Sequence, residues 1–129
     1  MKYTILVMGP PYGTENAISA FLFSKNLIHF KIHSINSVFF YCNGIYNSNK
    51  FLYSSIDEEN LVYSWCRFSK KFSINLHVCS NAAYVRGVID DNLALDLGFS
   101  DGNLHKSFHL TGLGTLVSSI LKSDRLVQF

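Results

Sequence analysis

Long apolar runs are missing from this sequence. The stretch Thr4-Ile-Leu-Val-Met8 is the obvious one near the amino terminus, and Pro10-Pro11 cut it off. A membrane span needs roughly 18 apolar residues, and a secretory signal needs a longer apolar region than this. Neither is expected here. Charge is scarce too: eleven Lys and Arg stand against nine Asp and Glu, a net +2. Such a balance argues against a broad electrostatic hold on nucleic acid. There is no internal repeat, low-complexity tract or charge block, so nothing marks a linker, and residues 1–129 are expected to form one domain. The three cysteines, Cys42, Cys66 and Cys79, are odd in number and lack metal-ligand spacing. That suits a reducing, cytoplasmic setting better than a disulfide scaffold.

What is present is apolar and aromatic. Hydrophobic residues make up 48% of the chain, enough to offset ordering entropy by burial and to exclude disorder. Eleven Phe, seven Tyr and one Trp are more aromatic surface than so small a domain readily hides, which points to an oligomer.

Short apolar runs alternate with longer helical periods. Tyr3–Met8 reads as a strand covered on both faces. Thr14 is then an N-cap for a helix over 15–30, whose stripe is Ala17, Ile18, Phe21, Leu22, Leu27 and Ile28. Residues 35–41 form a second strand, closed by Asn43-Gly44. Residues 44–56 make a long aromatic-bearing connection of the kind that contacts partners. Ser55 and Glu58 resemble a capping box for a helix to Phe72. A third strand covers 74–78, short helices follow at 80–86 and 93–97, a last helix spans 112–122, and a strand closes the chain at 126–129. Strands alternating with helices predict parallel strands and right-handed crossovers. The expected fold is a flavodoxin-like, mostly parallel open α/β sheet with helices on both faces.

In such a sheet, ligands gather beyond the carboxyl ends of the strands. That selects the loop 9–14, the end of the second strand at Cys42, and the junction at Cys79. Cys79 is the leading candidate catalytic residue. It ends a strand and opens a helix, where unpaired N–H groups favour a thiolate. The plainer reading is a small buried hydrophobe. Cys42 lacks a following helix start and ranks a distant second. Cys66 lies on an apolar helix stripe beside Trp65 and reads as core. His77 alternates with Cys79 and shares its strand face, from which it can tune the thiol, although a satisfied structural histidine is commoner. His105 and His109 could share a helical face but have no third ligand at recognisable spacing, so no metal site is expected. The loop Gly9-Pro-Pro-Tyr-Gly-Thr14 lacks both glycine-rich phosphate signatures. Its prolines remove N–H donors, which makes it a better rigid wall beside Cys79 than a nucleotide cradle.

Several separated segments are similar to one family. Tyr3-Thr-Ile-Leu-Val-Met-Gly-Pro-Pro-Tyr-Gly-Thr14, Ser37-Val-Phe-Phe-Tyr41 with Gly44-Ile-Tyr-Asn47, Cys79-Ser-Asn-Ala-Ala-Tyr-Val-Arg-Gly-Val-Ile-Asp90, and Asp124-Arg-Leu-Val-Gln-Phe129 resemble the DsrE family along the whole chain. The resemblance implies a cytoplasmic sulfurtransferase in the sulfur relay for 2-thiolation of the tRNA wobble uridine. It implies a heterohexamer with TusB-like and TusC-like subunits. It also implies that Cys79 takes persulfide sulfur from a TusA-like donor and passes it on with a TusE-like acceptor. No cofactor is called for, and tRNA is involved only indirectly. Two other readings compete: a non-catalytic scaffold subunit of the same assembly, and a small-molecule or nucleotide-binding module.

Overall fold

The apolar run at the start of the chain becomes an inner strand of a five-stranded sheet, hydrogen-bonded on both sides. A computed structural model describes residues 1–129. The strands are β1 (Lys2–Val7), β2 (Ser34–Phe40), β3 (Asn75–Cys79), β4 (Phe108–Thr111) and β5 (Arg125–Gln128). All pairs are parallel, in the order β4-β3-β2-β1-β5. The helices are α1 (Asn16–His29), α2 (Leu61–Phe72), α3 (Ser80–Tyr84), α4 (Asp91–Asp96) and α5 (Leu113–Leu121). None is long and apolar enough to cross a membrane.

Strand order decides where the helices go. From β1 to β4 the chain steps one way across the sheet; from β4 to β5 it steps back past β1. Right-handed crossovers therefore send α1 and α2 to one face and α5 to the other. The first face carries the aromatic core. Trp65 of α2 meets Phe40 of β2 edge-on at 5.3 Å and Phe21 of α1 at 5.0 Å. Trp65 and Phe40 are fully buried, and truncating an aromatic of this kind to alanine costs about 3–5 kcal/mol. The α5 face is more polar. There Thr4 Oγ1 and Asn36 Nδ2 both donate to the Ser119 carbonyl, at 3.0 and 3.1 Å. The expected open parallel sheet with helices on both faces is what the chain forms.

Local details differ from the sequence reading. Helix α1 begins at Asn16, with Glu15 rather than Thr14 in the cap position and no side-chain cap bond. The turn through Gly13, at φ 97°, delays the helix by one residue. Helix α2 is not opened by Ser55 and Glu58. Asn60 caps it, its Oδ1 accepting from the N–H groups of Val62 and Tyr63 at 3.1 and 3.4 Å. Residues Cys42–Ser48, read as open loop, wind into a 3-10 helix. The edge strand β4 was not foreseen, and it takes His109 out of any helix.

Candidate active site

Loops after β3 and β4 leave toward opposite faces, so a crevice opens between their carboxyl ends, the place where open α/β sheets bind ligands. Cys79 is the last residue of β3 and the N-cap of α3, with extended backbone at φ −63°, ψ 116°. A cavity of about 330 Å³ opens there, its walls including Tyr41, Cys42, Cys79, Ser80, Arg86 and Leu113. The Cys79 residue is only 4% exposed.

The structure brings together two cysteines that the sequence ranked far apart. Cys42 lines the same cavity as Cys79, is half-buried, and both are free. Its demotion rested on the lack of a helix start, yet it opens the 3-10 turn and does so in the left-handed region, at φ 50°. Close packing positions this turn. A Cβ on Gly44 would lie 2.0 Å from the Val7 carbonyl oxygen, so only glycine lets the turn sit against the end of β1. Asn47 then donates through Nδ2 to the carbonyls of Gly9 and Gly44, at 3.1 and 2.7 Å.

Arg86 is the residue that sequence reasoning did not single out. It is the sole charged side chain lining the cavity. Its Nε donates to Asn43 Oδ1 at 2.9 Å and its Nη1 to the Ala82 carbonyl at 3.1 Å. The guanidinium thus ties the Cys42 turn to α3 and supplies positive charge beside the thiols. A usable signal was its place seven residues after Cys79, in the turn that follows the short helix α3.

The other candidates fall away from this cavity. His77 does share the strand face of Cys79 by alternation, but its ring pairs with His109 across β3 and β4, 6.3 Å between centroids. Burial first, and then His109, hold its pKa below the ordinary histidine value, so it stays neutral; its Nδ1 is buried without a partner. Cys66 is buried as expected, with one addition: its Sγ lies 3.3 Å from His105 Nδ1. Burial pushes the Cys66 thiol up despite a hydrogen bond with Ser107 and the charge of Arg67, which keeps it protonated and unreactive. The loop 9–14 is not a wall of the Cys79 cavity. The Tyr12 hydroxyl reaches across to the Glu59 carbonyl and ties the loop toward the start of α2 instead. Nowhere do three His, Cys, Asp or Glu side chains converge as a metal would need.

Comparison with known proteins agrees with this architecture. The model of the DsrE/DsrF-like family matches residues 1–129. A protein named Sulfurtransferase TusD from Buchnera aphidicola subsp. Acyrthosiphon pisum (strain 5A) is 48% identical over 129 residues, covering both chains completely. One of the same name from Cronobacter sakazakii is 43% identical with the same coverage. Among solved structures, the ychN protein from E. coli superposes over the whole of both chains with a TM-score of 0.75 at 15% identity, a likeness of fold. The chain belongs to the DsrE/DsrF-like family.

Proposed function

We propose that this chain is a sulfurtransferase whose Cys79 carries sulfur as a persulfide. The observation that carries the reading is the placement of that thiol in the switch-point crevice, with Arg86 as the crevice's one charge. The identity with relatives named sulfurtransferase, end to end along the chain, supports it. Cys79 loses its proton to solvent and attacks the outer sulfur of a donor persulfide. The donor's S–S bond breaks, its thiolate departs, and Cys79-S-SH remains. An acceptor thiolate later takes the outer sulfur and restores the Cys79 thiolate, with no net redox change. The Arg86 guanidinium favours the anion at each stage. The persulfide also extends the reactive atom by about 2 Å, the length of one S–S bond, which brings sulfur closer to a partner than a nearly buried thiol would.

In this reading the donor is TusA-like, the acceptor is TusE-like, and the cytoplasmic relay ends in 2-thiolation of the tRNA wobble uridine. TusB-like and TusC-like subunits complete a heterohexamer. Leu113, Val117 and Leu121, four residues apart on α5, are 46, 55 and 81% exposed. That is one apolar helix stripe left without a cover, as a subunit contact requires. The low exposure of Cys79 is the one observation that favours the scaffold reading.

The test is persulfide loading followed by intact mass, with Cys79→Ser, Cys42→Ser and Cys66→Ser beside the unaltered chain. A gain of one sulfur atom that only Cys79→Ser abolishes supports the carrier. Loading that persists in Cys79→Ser moves the site to another thiol. A complex that assembles but never loads this chain establishes the scaffold reading.

A further inference from the structure

A larger cavity lies elsewhere. It is a groove of about 640 Å³ between α1 and α2, on the opposite face of the sheet from α5. Its lining comes from both helices and the residues just beyond them, from Phe21 to Lys31 and from Glu59 to Phe72. The groove shares no residue with the Cys79 cavity.

Four cations line this groove: Lys25, Lys31, Arg67 and Lys71. Glu59 is the single carboxylate there, and it accepts a hydrogen bond from Ser64. Setting these five aside leaves seven Lys and Arg against eight Asp and Glu in the rest of the chain. The whole positive excess of the protein is therefore concentrated in one groove, and the low net charge conceals it. None of the four is matched by a carboxylate: the chain's one ion pair joins Lys50 to Asp101 at 3.4 Å. Lys25 and Lys71 lie instead over the rings of Phe21 and Phe72, at 5.6 and 5.2 Å. Helix dipoles attract cations only to the last turn. That applies to Lys71, whereas Lys25 and Arg67 lie within their helices; Arg67 Nη2 donates to Ser64 Oγ at 3.3 Å, which leaves its charge uncompensated.

The floor between the cations is apolar, with Phe21 and Phe68 buried at its base and Phe72 39% exposed at its side. The α2 wall runs from Ser64 to Phe72, about 12 Å at 1.5 Å per residue. An apolar trough of two helical turns between two cationic rims is complementary to an amphipathic helix with an apolar stripe and acidic flanks. A phosphate backbone has no use for such a floor. We infer that the α1–α2 groove is a docking site for an acidic amphipathic helix of a partner protein. The inference does not depend on sulfur chemistry at Cys79.

The probe is a short, fluorescently labelled helical peptide with leucines at i, i+3 and i+7 and glutamates on both flanks, read by anisotropy against the full chain. Its counterpart has every glutamate replaced by glutamine. The acidic peptide is expected to bind, to weaken with added salt, and to lose about tenfold or more in affinity when Lys25→Glu and Arg67→Glu are combined. The control Lys106→Glu with Lys122→Glu makes the same change in net charge outside the groove and is expected to leave binding unchanged. Arg67→Lys is expected to retain most of it. The inference is overturned if neither peptide binds, if the glutamine peptide binds equally well, or if the control weakens binding as much as the groove variant. A small organic anion such as anilinonaphthalene sulfonate that needs Lys25 and Arg67, in the absence of peptide binding, also overturns it in favour of a small-ligand site. Sulfur loading of Cys79, measured on the same variants, reports separately on the proposed function.

Discussion

Gly44→Ala tests whether close backbone packing sets the geometry of the Cys42 turn. The added methyl would meet the Val7 carbonyl oxygen at 2.0 Å and its carbon at 2.8 Å, with the Met8 Cα at 3.2 Å. Contacts under 3.0 Å do not persist, so the turn and the end of β1 must part by about 1 Å. Neither side yields easily. The Val7 carbonyl already accepts from the Tyr41 N–H at 3.0 Å, and Gly44 N–H donates to Tyr41 at 2.9 Å. Gly44 is not among the glycines of positive φ, so the cost is steric rather than conformational. Overpacking costs about 1–3 kcal/mol where side chains can adjust. Against fixed backbone the top of that range, about 3 kcal/mol, is expected. For a chain of this length that corresponds to a fall of roughly 10 °C in Tm. Thermal unfolding followed by circular dichroism measures it, with Gly114→Ala as the comparison. Nothing lies within 4 Å of a Cβ there, and a helical Gly→Ala change should be neutral or stabilise by up to about 1 kcal/mol. Because Cys42 is two residues before Gly44, its alkylation rate should change in Gly44→Ala while that of Cys66 does not. A loss below 1 kcal/mol, or equal effects at both glycines, would refute the argument.

Three further outcomes are expected. Asn60→Ala removes the acceptor that caps α2 and should cost about 1 kcal/mol in urea unfolding, whereas Ser55→Ala should cost little; the reverse order would restore the capping box at Ser55 and Glu58. Burial, followed by His109, depresses the pKa of His77 below its ordinary 6.5, so near that value the unfolded chain binds more protons than the folded one. Stability present above pH 6.5 should decline as the pH falls below it and be lost once the pH passes the folded value. His77→Gln should flatten that decline, and an unchanged pH profile would count against a buried neutral ring. Arg86→Met should slow iodoacetamide alkylation of Cys79 by removing the cavity's cation, while Arg86→Lys should retain part of the rate; equal rates in all three would deny the guanidinium a role.

Much of the architecture was legible because it rests on periodicity. β1, β2 and β3 announce themselves as apolar runs, and the stripes of α1 and α2 place Phe21, Trp65 and Phe68 inward. β4 was not legible, since Phe108-His-Leu-Thr111 is four residues long and becomes a strand only by lying beside β3. The caps misled for a related reason. Ser55 and Glu58 have the right spacing for a capping box, but the helix they would open starts later, where Asn60 meets the first free N–H groups. At the candidate site, the strand-to-helix junction at Cys79 was legible from the sequence. Cys42 was ranked too low and Arg86 was passed over, because what brings them beside Cys79 is a shared cavity built from three separate segments. Net charge misled most plainly: a sum of +2 says nothing about four unmatched cations lying together.

The pairing of β1 with β5 bears on how the protein is made. Lys2 and Asp124, 122 residues apart, clasp each other through two hydrogen bonds, Lys2 N–H to Asp124 Oδ2 at 2.7 Å and Asp124 N–H to the Lys2 carbonyl at 2.8 Å. Synthesis runs from the amino end, so β1 and β2 emerge and can pair while β5 does not yet exist. Throughout that interval one side of β1 is a bare ladder of backbone donors and acceptors, open to any other nascent chain. Of the five strands, the one that seals β1 is therefore the latest to be made, and until it arrives β1 keeps an open edge of the kind that pairs with other chains.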